Sequence, residues 1–298
     1  MNLFSLLGAI EVGFLFGIAA LGVYLSFRVL NFPDITVDGS FTLGGAVAAT
    51  LIVAGVDPVT ATVAAALAGA AAGVVTAALA VYLRILHLFA GILTMIALYS
   101  INLRIMGAPN LSLLGRITLF SFTDHLPWPS YQVMPVLFLI LAVLFKLLVD
   151  RLLVSNLGLA LRATGANPRM VAAQGGDTRY LTLFGMAVSN GLVGLAGALW
   201  TQDQGNADVT MGVGLVVVGL AAVILGEGLT GGRGIARGTL GCLLGSLVYR
   251  LVVAMALDSD VLGLKSQDLN LVTAVLVVVA MVVAERRGRL TLFRSGAR

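Results

Sequence analysis

Seven long apolar stretches, at about 5–28, 59–82, 89–106, 131–152, 181–201, 236–257 and 270–285, dominate the chain. Each comes close to the roughly 20 residues that a helix needs to cross a hydrocarbon core. Two shorter stretches, about 41–55 and 213–228, are rich in glycine and each follows a polar break, which predicts half-helices or tilted spans. Counting both gives nine crossings, with an eight-span arrangement carrying one re-entrant segment as the competitor. The pattern predicts an all-α polytopic membrane protein of about nine (eight to nine) transmembrane helices, two of them short or broken. The loops and tail leave no room for a separate soluble domain, so residues 1–298 are read as one transmembrane domain.

The most polar interruption is "NFPDITVDGS", residues 31–40. Pro33 removes a backbone donor and Gly39 relaxes the chain, so a broken helix is expected. Ser40 or Asp38 could then cap a short helix beginning near Phe41. Irregular backbone at membrane depth survives only when protein covers it or it faces a water-filled cavity. The break is therefore expected on a solute route, with Asp38 ordering it and Asp34 setting the local field; a polar loop joining two spans is the plainer account. A second stretch, "DQGNADVTMGVGLVVVGLAAVILG", repeats the scheme: an Asp-(Ile/Val)-Thr step, Asp34 to Thr36 and Asp208 to Thr210, ahead of a glycine-rich short helix. In the nine-span arrangement the two copies run oppositely through the membrane, the plan of an inverted repeat.

Composition agrees with the pattern: 59% of residues are apolar, 11% are charged and the mean hydropathy is +1.04. The lone Cys242 cannot form an intrachain disulfide, and His87 and His125 stand too isolated for a metal site. The N-terminus has no basic residue before its apolar run and carries Glu11, so it reads as a first span and not as a cleaved signal. Basic residues favour cytoplasmic loops. With the tail about 286–298 placed inside, alternation through nine spans puts 14 of the 18 Lys and Arg on the cytoplasmic side and the N-terminus outside. The net charge of +4 is then a matter of topology and asks for no nucleic acid. Arg250, Arg104 and Glu11, near outer ends of spans, are expected to snorkel.

One loop, about 155–180, contains "GLALRATGANPRMVAAQGGDTRY". Asn167 is a good N-cap, Pro168 suits the first helical turn, and Gly175 with Gly176 supplies a stop. A short cytoplasmic helix is specified, the kind of knob that passes force from a soluble motor to membrane helices; an ordinary surface turn is the bland reading. The pattern Gly165-x-Asn167-Pro168-x-x-x-Ala172-Ala173-x-Gly175, followed by "GLVGLAGAL" and "GLAAVILGEGL", resembles the permease subunits of bacterial ABC importers for branched-chain amino acids, ribose and nucleosides. More narrowly, "NFPDITVDGSFTLGGAVAA" and "TMIALYSINLRIMG" resemble permeases that work with tryptophan- and tyrosine-type binding proteins. The resemblance implies that the loop helix, with Gly165, Asn167, Pro168, Arg169, Ala172, Ala173 and Gly175, couples to an ATPase. It also implies a homodimer, or a pair with a paralogous permease, in the bacterial inner membrane. Two cytoplasmic ATP-binding subunits would carry the ATP and magnesium, and an external binding protein would set most of the selectivity, aromatic amino acids being favoured. Thr36-Val37-Asp38-Gly39 departs from the leucine-type permeases of that group.

On the span 89–106, Met95, Tyr99, Asn102 and Met106 fall on one helical face. Lipid disfavours Asn102 there, so the face should meet a bundle or a cavity; Asn as glue between helices is the alternative. With Asp34, Asp38, Ser40, Asp208 and Thr210, this face makes up the candidate translocation path. "GEGLTGG", 226–232, matches G-x-G-x-x-G but follows a membrane span instead of a strand, and no phosphate-binding G-x-x-x-x-G-K-(S/T) occurs. The chain is thus expected to need no cofactor and to catalyse nothing itself. A secondary transporter or channel driven by an ion gradient is the rival, with Asp34, Asp38 and Glu11 as its relay candidates.

Overall fold

The structure, a computed structural model, describes residues 3–121, 123, 129–231, 234–257, 275 and 278. The expected span 270–285, the tail 286–298 and the charged or titratable residues His125, Arg233, Asp258, Asp260 and Asp268 fall wholly or almost wholly outside these. Ten α-helices carry the described fold: α1 Leu3–Val23, α2 Thr36–Val53, α3 Pro58–Val81, α4 His87–Met106, α5 Ser130–Val154, α6 Asn156–Ala166, α7 Pro168–Ala173, α8 Thr178–Gln204, α9 Leu215–Thr230 and α10 Ile235–Leu257. Among the described residues, seven helices are long and apolar enough to cross a membrane, and α9 is a shorter apolar helix. Two three-residue strands, β1 Asn110–Ser112 and β2 Asn206–Asp208, pair antiparallel with Asn110 opposite Asp208. This ribbon marks one end of the bundle; α6 and α7 mark the other.

Local chemistry sets the helix ends. Asp57 accepts the amides of Val59 and Thr60 ahead of Pro58, and Asp177 accepts those of Arg179 and Tyr180, so α3 and α8 begin on carboxylate caps. Between α1 and α2 the chain winds through a π-helical turn, Tyr24–Val29, in which the Leu30 amide reaches the Leu25 carbonyl at 3.0 Å. Asn31 then takes a left-handed φ of +53° before Pro33, which ends the helix.

The new helix starts sooner than its composition suggests. Asp34 Oδ1 accepts the Thr36 amide at 2.9 Å, an Asx-type turn that launches α2 at Thr36, not near Phe41. Asp38, Gly39 and Ser40 therefore lie inside the helix and none of them caps it. Gly39 does not loosen the chain either: a Cβ there would lie 3.3 Å from the Met95 backbone, so its bareness lets α2 approach α4.

α2 is the most buried span, while α4 and α5 are the most exposed. α3 and α2 pack against α8, and α1 and α9 against α10. Lipid tails offer helices little hydrophobic reason to associate, so close backbone approach and interhelical hydrogen bonds must hold such a bundle. At Gly44 any side chain would run into the Gly194 carbonyl across the α2–α8 contact. Gly13 and Gly17 admit Leu247 and Leu243 of α10, and Gly241 and Gly245 of α10 meet Gly226 and Ala222 of α9, so these glycines serve packing within the chain. Ser189 donates to the Gly22 carbonyl and Ser246 to the Gly13 carbonyl, each at 2.7 Å. At the α6–α7 end, Arg28 pairs with Glu227, and Asp150 receives both Lys146 and Thr239.

Two residues expected to snorkel do not. The Arg250 guanidinium lies over the Phe16 ring, 4.2 Å from its centre, because an aromatic face inside the bundle is within easier reach than the surface. Glu11 lies half-buried beside the Asp203 carboxyl of α8.

Candidate functional site

The break and its surroundings form a fully buried polar knot. Asp34 Oδ2 accepts from Asn190 Nδ2 at 2.7 Å, and Asn190 Oδ1 accepts from the Ser40 hydroxyl at 2.7 Å. The Thr36 and Thr76 hydroxyls share a further bond of 2.7 Å. Every polar group here has to be satisfied by protein, and the network does so with neutral donors. Asn190 is the thirteenth of the 27 residues of α8, about 18 Å along the helix at 1.5 Å per residue. The break thus reaches the helix's middle, where a connecting loop would have remained at its end. Ser189-Asn190 is a polar pair within the span 181–201 that sequence reasoning passed over; the argument applied to Asn102 would have flagged it.

Asp38 serves a helix other than its own. Its Oδ2 accepts the Gly214 amide at 2.9 Å and its Oδ1 the Val216 amide at 2.8 Å, so it caps the N-terminus of α9 from the first turn of α2. Free amides and the positive end of the helix dipole favour an anion there. The two breaks of the sequence therefore meet, the first supplying the carboxylate and the second the amides. Around Asp208 the local turn is the same as at Asp34: its Oδ1 accepts the Thr210 amide at 2.7 Å.

Beside Asp38 lies a cavity of about 350 Å³, bounded by α2, α4 and the segment leading into α9. Of the path residues expected from sequence, Asp38, Met95, Tyr99 and Asn102 line it. Asp34 and Ser40 belong instead to the buried knot. Met106 belongs to an apolar cluster with Ala46, Ala49, Ile52 and Leu113. Asp208 and Thr210 stay at the ribbon, and Val209 and Val213 line the cavity in their place. Gly39, Thr42, Ile96 and Ser100 complete the wall; the last three carried no distinct sequence signal.

At the opposite end α7 stands out from the bundle. Asn167 Oδ1 caps the Met170 amide at 3.1 Å, and Gly175, at φ +83°, ends the turn. Val171 is buried, whereas Asn167, Pro168, Arg169, Ala172, Ala173 and Gly175 are exposed. Gly165 is different: it sits on α6, where a Cβ would strike the Val29 carbonyl, so it joins the knob to the π-helical end of α1. α6 itself, an 11-residue helix, was not foreseen. Leu30, the next residue along, packs against Gly185 of α8.

A multi-span bundle with a one-sided cavity, a buried polar break and a protruding helical knob is the framework of a membrane transport subunit. The chain belongs to the branched-chain amino acid transport system permease component family, whose pattern matches residues 5–284. It is 38% identical over 263 residues to the tyrosine transport system permease protein of Clostridioides difficile (strain R20291), covering 88% of this chain and 85% of that protein. It is also 34% identical over 270 residues to an uncharacterised protein of Rickettsia prowazekii (strain Madrid E), covering 89% of this chain and 92% of that one. No solved structure matches the chain. The protein is a permease component of a transport system.

Proposed function

We propose that the chain is the membrane half of an ATP-driven importer of aromatic amino acids, working as a homodimer in the bacterial inner membrane. Each copy seats α7 on one of two cytoplasmic ATP-binding subunits, which carry the ATP and magnesium, and receives solute from an external binding protein. The observation that carries the reading is the geometry of α7: a capped six-residue helix, exposed except for Val171. Through α6 it abuts Val29, five residues before the buried Asp34. A push on the knob is thereby delivered to the break. The tyrosine-system relative supports the choice of cargo.

Three finer features accompany this reading. Nine crossings follow if 270–285 adds a span to the eight apolar helices. The excess of basic residues at the α6–α7 end, among them Arg84, Arg151, Arg162, Arg169 and Arg179, supports placing that end in the cytoplasm and the N-terminus outside. An inverted repeat equating α1, α2 and α3 with α8, α9 and α10 is supported by reciprocal packing, α1 on α10 and α8 on α3, and by the matching turns at Asp34 and Asp208.

The test is reconstitution in proteoliposomes with the ATPase, using tyrosine-loaded binding protein outside and ATP inside. ATP-dependent accumulation of labelled tyrosine is expected. Uptake driven by a proton or sodium gradient without ATP would overturn the reading in favour of a secondary transporter.

A further inference from the structure

Where α3 turns into α4, at the α6–α7 end of the bundle, a second cavity of about 540 Å³ opens between Pro33 and residues 84–89. Its wall is apolar except for Arg84 and His87, and no acidic residue lines it. The His87 ring is fixed by stacking on Phe32, with 4.1 Å between ring centres and 13° between planes, and Phe32 itself is buried. Neither the Arg84 nor the His87 side chain has a hydrogen-bond or ion-pair partner among the described residues. Arg84 also stands at φ +57°, a left-handed backbone that glycine adopts without penalty. The turn thus presents two unanswered donors, one of them a full positive charge, and calls for an anion. The surroundings narrow down which anion. Tyr82, Leu83, Leu86, Leu88 and Phe89, five large side chains within eight residues, are 47–71% exposed. Such a surface suits acyl chains, with the arginine and the aromatic rings at headgroup level. A second copy of the chain could cover the apolar part, but a phospholipid brings the counter-charge as well.

We propose that this cavity holds the headgroup of an anionic phospholipid. The Arg84 guanidinium pairs with the lipid phosphate, whose geometry its planar fork matches. His87 donates a second hydrogen bond, and an acyl chain lies over Leu88 and Phe89. The lipid braces the α3–α4 turn against Phe32 and Pro33, the two residues ahead of Asp34, and so acts on the chain at the entry to the break. The proposal requires that the chain lie in a membrane and depends on neither the importer reading nor its cargo.

The purified protein, delipidated in detergent, is titrated separately with phosphatidylglycerol, phosphatidylcholine and inorganic phosphate. Bound lipid is counted by native mass spectrometry, and the melting temperature is followed in parallel. Phosphatidylglycerol should bind about fivefold more tightly than phosphatidylcholine, the scale of one basic residue at an anionic surface, and should raise the melting temperature. Arg84→Gly should remove that preference without lowering the melting temperature of the lipid-free protein, because glycine suits the left-handed turn. Arg84→Lys keeps the charge and should keep the preference. So should Arg151→Gln, which takes an exposed arginine from the same end outside the cavity. Equal binding of the two lipids to the unaltered protein overturns the proposal without any variant. A preference that survives Arg84→Gly, or that falls as far in Arg151→Gln, overturns it as well, since the attraction would then belong to the basic surface at large. Inorganic phosphate that stabilises as strongly as phosphatidylglycerol would make the ligand a soluble anion and overturn the lipid.

Discussion

Asp34 and Asp38, four residues apart, are held in different ways. Asp34 is wholly buried and depends on Asn190, Thr36 and the shape of the break. Removing a partner from a buried polar group leaves its desolvation penalty uncompensated, so Asn190→Ala should cost about 1–3 kcal/mol and visibly lower the melting temperature in detergent. Asp38 acts as a cap, and losing a cap costs less. Asp38→Ala should destabilise by about 1–2 kcal/mol, reduce uptake strongly, and leave ATPase association measured by co-purification unchanged. Full uptake with both Asp34→Ala and Asp38→Ala would remove the pair from the transport route.

At the scale of elements, contact between bare backbones decides which helices neighbour which. Gly44→Ala places a methyl group against the Gly194 carbonyl and should cost about 1–3 kcal/mol through forced separation of α2 and α8. The knob offers the complementary case. Val171 is its buried anchor, so Val171→Asp should undock α7 and lower ATPase co-purification several-fold, while thermal unfolding of the bundle changes little. The long spans, the capped α7 and the two polar breaks were legible in the sequence because each has a local cause: length in hydrocarbon, a capping residue, a proline. Where α2 begins was not. That start depends on an Asx turn and on Asn190, 156 residues away. The true place of Asp38 was hidden for the same reason: its partners lie 176 and 178 residues on. Of the residues assigned to the path from sequence, Asp38, Met95, Tyr99 and Asn102 line the cavity, whereas Met106 lies in an apolar cluster with Ala46, Ala49 and Ile52, a difference that helical spacing alone does not carry.

For the whole molecule, the connections between the half of the chain up to β1 and the half from α8 on matter most. The ribbon ties the segment after α4 to the segment after α8, and Asp38 ties α2 to α9. Cysteines at Ser112 and Asn206, which face each other in the ribbon, should form a disulfide on oxidation, since Cys242 is buried away from them. The lock should cut binding-protein-dependent uptake at least tenfold and be relieved by reductant; undiminished uptake would mean that the halves do not part at this end. The shared cap at Asp38 has one more implication. Were α2 and α9 to separate, a carboxylate and a pair of backbone amides would lose one another at the same moment, a few ångströms apart. The opened gap is then the electrostatic mould of a zwitterion, negative where an ammonium group fits and positive where a carboxylate fits. A passing amino acid could repay the protein for breaking its own latch, and a molecule carrying only one of the two charges could not.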